Sequence, residues 1–437
     1  MKRTYLFRIS LFMILASVFT GCATVKLKNQ LGRDFSGLEA KYQHHSGFMI
    51  YDLATEETIY EHQSDRYFTP ASNTKIFTLY TSFEVLGDSI PGLKYLERGD
   101  SLIFWGTGDP SLLYEEVVKS NVYDFLLNQS RDLYFSPVNF DDQHYGPGWA
   151  WDDYSYYYQV EKSPLPVFGN YFLVSKQEGK HTLTLNNPVF KKYFWLKDSL
   201  EGHVPVLRQY GSNAIDYFPA QTEESFTRLV PFKYSPLLIT SLLSDTLKGK
   251  VRLVDIPFDD TAKTLYSVAA DSLYRVLMQR SDNFIAEQLL LLCAGTLTDT
   301  LRSDIAINYA IDSLLADLPD VPIWVDGSGL SRYNLFTPRS IVKLWEKLYH
   351  KVPRERLFPL LAIGGETGTI RNLYNDEQPY IYGKTGTLRN NHCLSGFLLT
   401  KSGKTLIFSF MNSNYPVSSS EVKQDMEQIL KNIRDNY

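Results

Sequence analysis

Apolar positions along the chain change their period several times, and the changes divide it into segments. Gly47-Phe48-Met49-Ile50-Tyr51-Asp52-Leu53 and Thr58-Ile59-Tyr60 are strand-like runs around Ala-Thr-Glu-Glu, the pattern of a hairpin. Pro70-Ala71-Ser72 then opens a helical pattern: Ile76, Leu79, Tyr80, Phe83 and Leu86 fall at helical spacing, and Gly87 stands as a stop. From about residue 91 to 250, short strand-like runs alternate with turn clusters such as Gly106-Thr107-Gly108-Asp109-Pro110 and Tyr145-Gly146-Pro147-Gly148. This stretch reads as a separate β-rich insertion. Helical periodicity returns at Leu273, Val276 and Leu277, and again from Phe284 through Leu292. Thr337-Pro338 caps a further helix through Ile341, Leu344, Trp345 and Leu348. Two strands, from His392 to Thr400 and from Thr405 to Met411, flank a turn at Lys401-Ser402-Gly403-Lys404. The last helix has Ser418 and Glu421 as a capping box and an apolar stripe of Val422, Met426, Ile429, Leu430 and Ile433. The expectation is an α/β domain built from 36–90 and 251–437, interrupted by 91–250.

The N-terminus reads as a targeting segment. Lys2, Arg3 and Arg8 precede an apolar run from Ile9 to Phe19, of signal-peptide length and too short to span a bilayer as a mature helix. The run ends Phe19-Thr20-Gly21-Cys22, which resembles a bacterial lipobox, so 1–22 reads as a lipoprotein signal with Cys22 as the lipidated residue. An ordinary secretory signal with an incidental cysteine is the alternative. Two acyl chains on Cys22 give the double anchor that stable membrane attachment needs. Residues 23–35, polar and basic, read as a tether. The expected location is the cell envelope, on the periplasm-facing side of the outer membrane.

Composition narrows the function classes. With 437 residues and 44% hydrophobic content the chain can bury a large core. Its net charge of −5 comes from 44 basic and 49 acidic residues without blocks of either sign, so a nucleic-acid partner has no electrostatic footprint. Cys293 and Cys393 read as free buried thiols, although an exported protein can pair them. No zinc or calcium ligand pattern is visible, and the chemistry below calls for no cofactor.

Three short motifs carry that chemistry. S-x-x-K, S-D-N and K-T-G together mark class A β-lactamases and penicillin-binding proteins. S-x-x-K occurs at Ser72/Lys75, Ser340/Lys343 and Ser420/Lys423, and K-[ST]-G at Lys384-Thr385-Gly386 and Lys401-Ser402-Gly403. Only Ser72, then Ser281-Asp282-Asn283, then Lys384 stand in the required order. Ser72 opens a helix, so its Oγ and the Lys75 amine share one face. A serine hydroxyl becomes a nucleophile when a neighbouring base takes its proton. Lys75 can do so if burial and a nearby cation such as Lys384 lower its pKa. Ser281 can relay a proton to the leaving amine, and Asn283 can bind a substrate amide. Lys384, Thr385 and Thr387 suit a terminal carboxylate, and the backbone N–H groups of Ser72 and Thr387 suit an oxyanion.

The segments around these motifs extend the match. Phe68-Thr69-Pro70-Ala71-Ser72-Asn73-Thr74-Lys75, Ser281-Asp282-Asn283-Phe284-Ile285-Ala286-Glu287-Gln288-Leu289, Asp326-Gly327-Ser328-Gly329-Leu330-Ser331 and Lys384-Thr385-Gly386-Thr387 resemble the penicillin-binding D-Ala-D-Ala carboxypeptidase/endopeptidase family, the class C low-molecular-mass type. So do Gly108-Asp109-Pro110, Gly146-Pro147-Gly148-Trp149 and Gly365-Glu366-Thr367-Gly368-Thr369. The resemblance covers roughly 36–415. It implies a serine β-lactamase/transpeptidase-like domain with a β-rich insertion between the first two motifs, and Ser281 does lie 209 positions after Ser72. It implies hydrolysis of D-Ala-D-Ala bonds in peptidoglycan stem peptides, with β-lactams as inhibitors. The insertion is shorter than is usual for that family, so its innermost part is expected to be reduced. In the family, an aspartate after a Trp-x-Trp segment is proposed to meet the amine of the cross-linking diamino acid, and Trp149-Ala150-Trp151-Asp152-Asp153 puts Asp153 in that place. Asp152 and Asp153 as plain exposed turn residues are the equal alternative.

Two other readings remain open. A β-lactamase on the same fold would turn penicillin over quickly. A catalytically inactive peptidoglycan-binding lipoprotein would have no need of Ser72, Lys75, Ser281, Asn283 and Lys384 together. The aromatic run from Trp149 to Tyr158 is expected to be mostly core, with stacking on glycan as the alternative. Asp326-Gly327-Ser328-Gly329 reads as a turn that positions the walls of the site.

Overall fold

A computed structural model describes residues 25–117, 119–180, 182–197, 205–219 and 225–437. Cys22 and the signal segment lie outside the described residues. Six antiparallel strands form the central sheet, in the spatial order Ala362–Ile363, Ile381–Leu388, Asn391–Leu399, Thr405–Ser413, His45–Asp52 and Glu57–His62. Side chains alternate across it with the strand period of two. Leu406, Phe408 and Phe410 face one side, while Ile407 and Met411 face the other.

The second of these faces is covered by the helices Thr74–Val85, Asn283–Thr298 and Pro338–Lys351. Two of them begin at caps their sequence supplies. Thr337 caps Pro338–Lys351 by accepting from the Ser340 N–H, and Asp282 caps Asn283–Thr298 by accepting from Ile285. The other face is covered by the C-terminal helix Ser419–Asn436, whose capping box forms as expected, and by helical residues 25–42.

That N-terminal helix corrects the tether expected over 23–35, insofar as those residues are described. Leu27, Leu31, Phe35, Leu38 and Tyr42 lie three or four residues apart and are all buried. The Phe35 ring sits 4.9 Å from Phe48 and 5.1 Å from Phe410. The polar and basic residues between them form the solvent side of the same helix.

The insertion also differs in its boundaries. Its main sheet runs Val251–Leu253, Asp132–Phe135, Ser101–Gly106, Ser89–Arg98, Lys263–Ala269. The strands Val251–Leu253 and Lys263–Ala269 therefore belong to it, beyond the limit of 250 expected from sequence. Two three-stranded sheets and the helices Asn121–Leu127 and Pro236–Leu247 complete the unit around its own apolar core.

Cys293 and Cys393 are free and buried, each thiol pushed up to about 12 by desolvation. The run from Trp149 to Tyr158 corrects another expectation, because none of its six rings is buried. Trp151 is 71% exposed and Tyr157 62%.

Candidate active site

The three motifs meet where the strand Ile381–Leu388 passes the turn Ala71–Asn73. The approach is so close that a β-carbon on Gly386 would lie 2.5 Å from the Pro70 carbonyl oxygen and 2.8 Å from the Ser72 nitrogen. Glycine is required there. Ala71 holds a left-handed φ of +47°, a costly conformation for alanine, immediately before the serine. Asn73 fixes the turn: its side chain donates to the Lys384 carbonyl (3.1 Å) and accepts from the Ser395 hydroxyl (2.5 Å). Ser395 in turn accepts from Trp345 Nε1 at 2.9 Å.

Lys75, the second residue of the helix Thr74–Val85 and one turn beyond Ser72, is fully buried. Its amine donates to Ser72 Oγ (2.9 Å), Asn283 Oδ1 (2.7 Å) and the Ser328 carbonyl (2.6 Å). Burial lowers its pKa to about 8, opposed by the negative charges of Asp326, Glu287 and Asp282. The cause differs in part from the expectation. Desolvation lowers Lys75, while the Lys384 pKa, itself far below the usual lysine range through burial, is pushed down further by Lys75. Lys384 Nζ donates to Ser281 Oγ (2.8 Å) and to the Thr385 carbonyl (2.7 Å). Ser281 is presented by a left-handed turn with φ of +59° that ends the preceding helical segment.

Asn283 spans the catalytic unit and the insertion, accepting from Lys75 and donating from Nδ2 to the Tyr158 carbonyl at 2.9 Å. The carboxyl of Asp282 accepts a hydrogen bond from the Tyr114 hydroxyl. Thr387 Oγ1 pairs with His392 Nδ1 at 2.7 Å, and burial pushes that imidazole down to about 3, so it stays neutral. Thr385 Oγ1 pairs with Thr369 Oγ1 at 2.6 Å. Ser72, Asn283 and Thr387 open onto a cleft of about 1050 Å3 whose walls include Asp152, Asp153, Tyr158, Arg332 and Arg389. Asp153 is half-buried and receives a hydrogen bond from the Tyr158 hydroxyl, whose pKa that carboxylate helps to raise after burial.

Sequence reasoning missed the frame behind Lys75. Glu287, buried, accepts from the backbone of Gly327 (3.1 Å) and Ser328 (2.8 Å). Asp326, also buried, accepts from Gly329 N (2.8 Å), Ser331 N (2.7 Å), Asn334 Nδ2 (2.7 Å) and Trp149 Nε1 (2.9 Å). These two carboxylates hold the loop whose Ser328 carbonyl holds Lys75. Asp326-Gly327-Ser328-Gly329 is thus a positioning turn, and Gly329, with φ of +78°, presses on the Ala71 carbonyl. The alternative motif copies are engaged elsewhere. Ser340 Oγ donates to the Asp320 carbonyl, Lys343 pairs with Glu346, and Lys401-Ser402-Gly403 forms a strand-to-strand turn.

The model of the D-Ala-D-Ala carboxypeptidase 3 (S13) family matches residues 36–200 and 233–436. The chain belongs to that family. The unmatched stretch between the two matched parts falls within the insertion. The D-alanyl-D-alanine carboxypeptidase DacB of Haemophilus influenzae is 23% identical over 90% of each chain. A D-alanyl-D-alanine carboxypeptidase from an Actinomadura species is 26% identical, over 87% of this chain and 80% of that one. Crystalline penicillin binding protein 4 (dacB) from Haemophilus influenzae has the same fold, with a TM-score of 0.73, 21% identity, and coverage of 91% of this chain and 98% of that one. That protein has also been solved in complex with a β-lactam.

As the proposed base for Ser72, Lys75 can take the hydroxyl proton only as the neutral amine. Burial lowers its pKa, so the neutral fraction, and with it the rate of acylation by a penicillin, should rise with pH through a midpoint near 8. Glu287→Gln removes a charge that stabilises the ammonium, so the midpoint should move to lower pH while the loop keeps a hydrogen-bonding side chain. Stopped-flow acylation across pH measures both, and an unshifted midpoint would show that Glu287 does not act on Lys75.

Proposed function

We propose that the protein hydrolyses the terminal D-Ala-D-Ala bond of peptidoglycan stem peptides through an acyl-enzyme on Ser72. The observation that carries this reading is the Lys75 amine bonded at once to Ser72 Oγ and Asn283 Oδ1, with Ser281 and Lys384 alongside. Neutral Lys75 takes the hydroxyl proton as Ser72 Oγ attacks the carbonyl carbon of the penultimate D-alanine. The Ser72 and Thr387 N–H groups receive the developing oxyanion. Ser281, backed by Lys384, passes a proton to the leaving nitrogen as the C–N bond breaks and D-alanine departs. Water then cleaves the Ser72 ester. Thr385, Thr387 and Lys384 receive the terminal carboxylate, and β-lactams enter as analogues of the same acyl donor.

The decisive experiment is digestion of purified sacculi with product analysis. Free D-alanine is expected. Cut cross-links would indicate endopeptidase action by the same site. Ser72→Ala should abolish both products and covalent labelling by fluorescent penicillin, and labelling that survives would place the nucleophile elsewhere. A β-lactamase would instead release penicillin rapidly, and a purely binding protein would be labelled by neither substrate.

Asp153 is the proposed partner of the side-chain amine of the stem's diamino acid. Its place on the cleft wall supports this, since a carboxylate beside a cleft forms strong charge-assisted bonds to an ammonium group. Asp153→Ala should slow hydrolysis of diaminopimelate-containing peptides about 10-fold, the scale of ~1.4 kcal/mol. Penicillin acylation, which lacks that amine, should change little. Equal losses on both would mark Asp153 as structural.

The Gly21-Cys22 junction supports lipidation at Cys22 and attachment to the periplasm-facing outer membrane. Cys22→Ser should block processing or release the protein from membranes, and unchanged detergent partitioning of a normally processed variant would exclude the anchor.

A further inference from the structure

The turn Trp151–Asp153 faces two ways. Asp152 and Asp153 line the catalytic cleft, whereas the Trp151 indole stands outside it, 71% exposed. Beside it, 6.0 Å away and nearly perpendicular, lies the Tyr210 ring from a distant part of the insertion, 66% exposed. Tyr154 also meets the Tyr210 ring, at 5.2 Å. This group of rings is built on a buried cation. Arg208, 1% exposed, donates to the Tyr154 carbonyl (2.6 Å), the Ser212 carbonyl (3.0 Å) and the Tyr145 hydroxyl (3.3 Å), and its guanidinium lies 5.2 Å from the Tyr154 ring centroid. A rigid exposed Trp-Tyr pair at the mouth of a cleft leaves apolar area in water, which marks a contact surface.

The order of groups in the substrate says what arrives there. This step rests on the reading of Ser72 as acyl acceptor and of Asp153 as partner of the diamino acid. With the scissile bond at Ser72 and the third stem residue at Asp153, the first two residues and the sugar that bears them continue outward past Asp153. We propose that Trp151 and Tyr210 form a subsite for the N-acetylhexosamine chain of peptidoglycan, stacking on the apolar C–H faces of its sugar rings. The enzyme is therefore selective for stems still attached to glycan.

The test compares two substrates of the full-length protein: a free stem pentapeptide, and the same pentapeptide on an N-acetylglucosaminyl-N-acetylmuramyl disaccharide. The wild type is expected to show a higher kcat/KM on the disaccharide form. Tyr210→Ala and Trp151→Ala should each lower kcat/KM on that form about 10-fold, the size of an aromatic anchor lost on truncation. On the free peptide each variant should match the wild type. As an independent readout, peptide-free glycan chains should quench the tryptophan fluorescence of Ser72→Ala protein and lose this effect in Ser72→Ala/Trp151→Ala. Equal loss on both substrates, no loss on either, or no preference in the wild type would overturn the glycan subsite. Failure of the wild type to cleave either substrate would instead overturn the underlying peptidase reading.

Discussion

A lysine amine with no exposure to water governs this structure. Moving an ammonium group out of solvent costs several kcal/mol unless every proton finds an acceptor. Lys75 finds three, and they come from three separate parts of the chain: Ser72, Asn283 and the Ser328 carbonyl. Each acceptor needs its own support. Ser72 depends on the strand that Gly386 lets approach, Asn283 on a helix start capped by Asp282, and Ser328 on the carboxylates of Glu287 and Asp326. The residual penalty of burial is what lowers the amine's pKa, so the feature that makes the site costly to assemble also suits Lys75 to the proposed role of base.

This dependence explains what could be read from the sequence. Ser72, Lys75, Ser281, Asn283 and Lys384 meet through side chains of fixed type at fixed spacing, so their pattern survives as letters. Pro338–Lys351 and Ser419–Asn436 were legible from their caps and their 3.6-residue period. The Ser328 and Tyr158 carbonyls were not, because any residue supplies a backbone acceptor and only the fold aims it. Glu287 is similarly hidden: a glutamate inside a helix reads as a solvated residue until its partners Gly327 and Ser328 are brought up from 40 residues away.

The larger misreadings have the same origin in non-local structure. Leu27, Leu31 and Phe35 had helical spacing, yet the intervening basic residues resemble a linker until strands from both ends of the chain provide a face to cover. The strand Lys263–Ala269 pairs with Ser89–Arg98 across the whole insertion, and no local signal marks such a return. The Trp149–Tyr158 run was dense in apolar rings but lacked any period. Density alone cannot separate a core from a shelf, and the exposed Trp151 and Tyr157 show that here it did not.

Insertion and catalytic unit do not merely abut. Trp149 Nε1 donates to Asp326, and Asp326 holds the same loop that presents the Ser328 carbonyl to Lys75. A second link runs from the Tyr158 carbonyl through Asn283 to the same amine. The wall that carries Asp153 is therefore fixed to the amine beside Ser72, by two routes of short hydrogen bonds. A displacement of the insertion has to be absorbed by the ligands of a buried ammonium, which tolerates little. In the proposed reading, a small β-lactam at Ser72 does not reach the Asp153 wall, whereas a stem peptide does. Under the proposed function, penicillin acylation senses the insertion only through the ligands of Lys75, whereas the polymeric substrate also meets its wall directly.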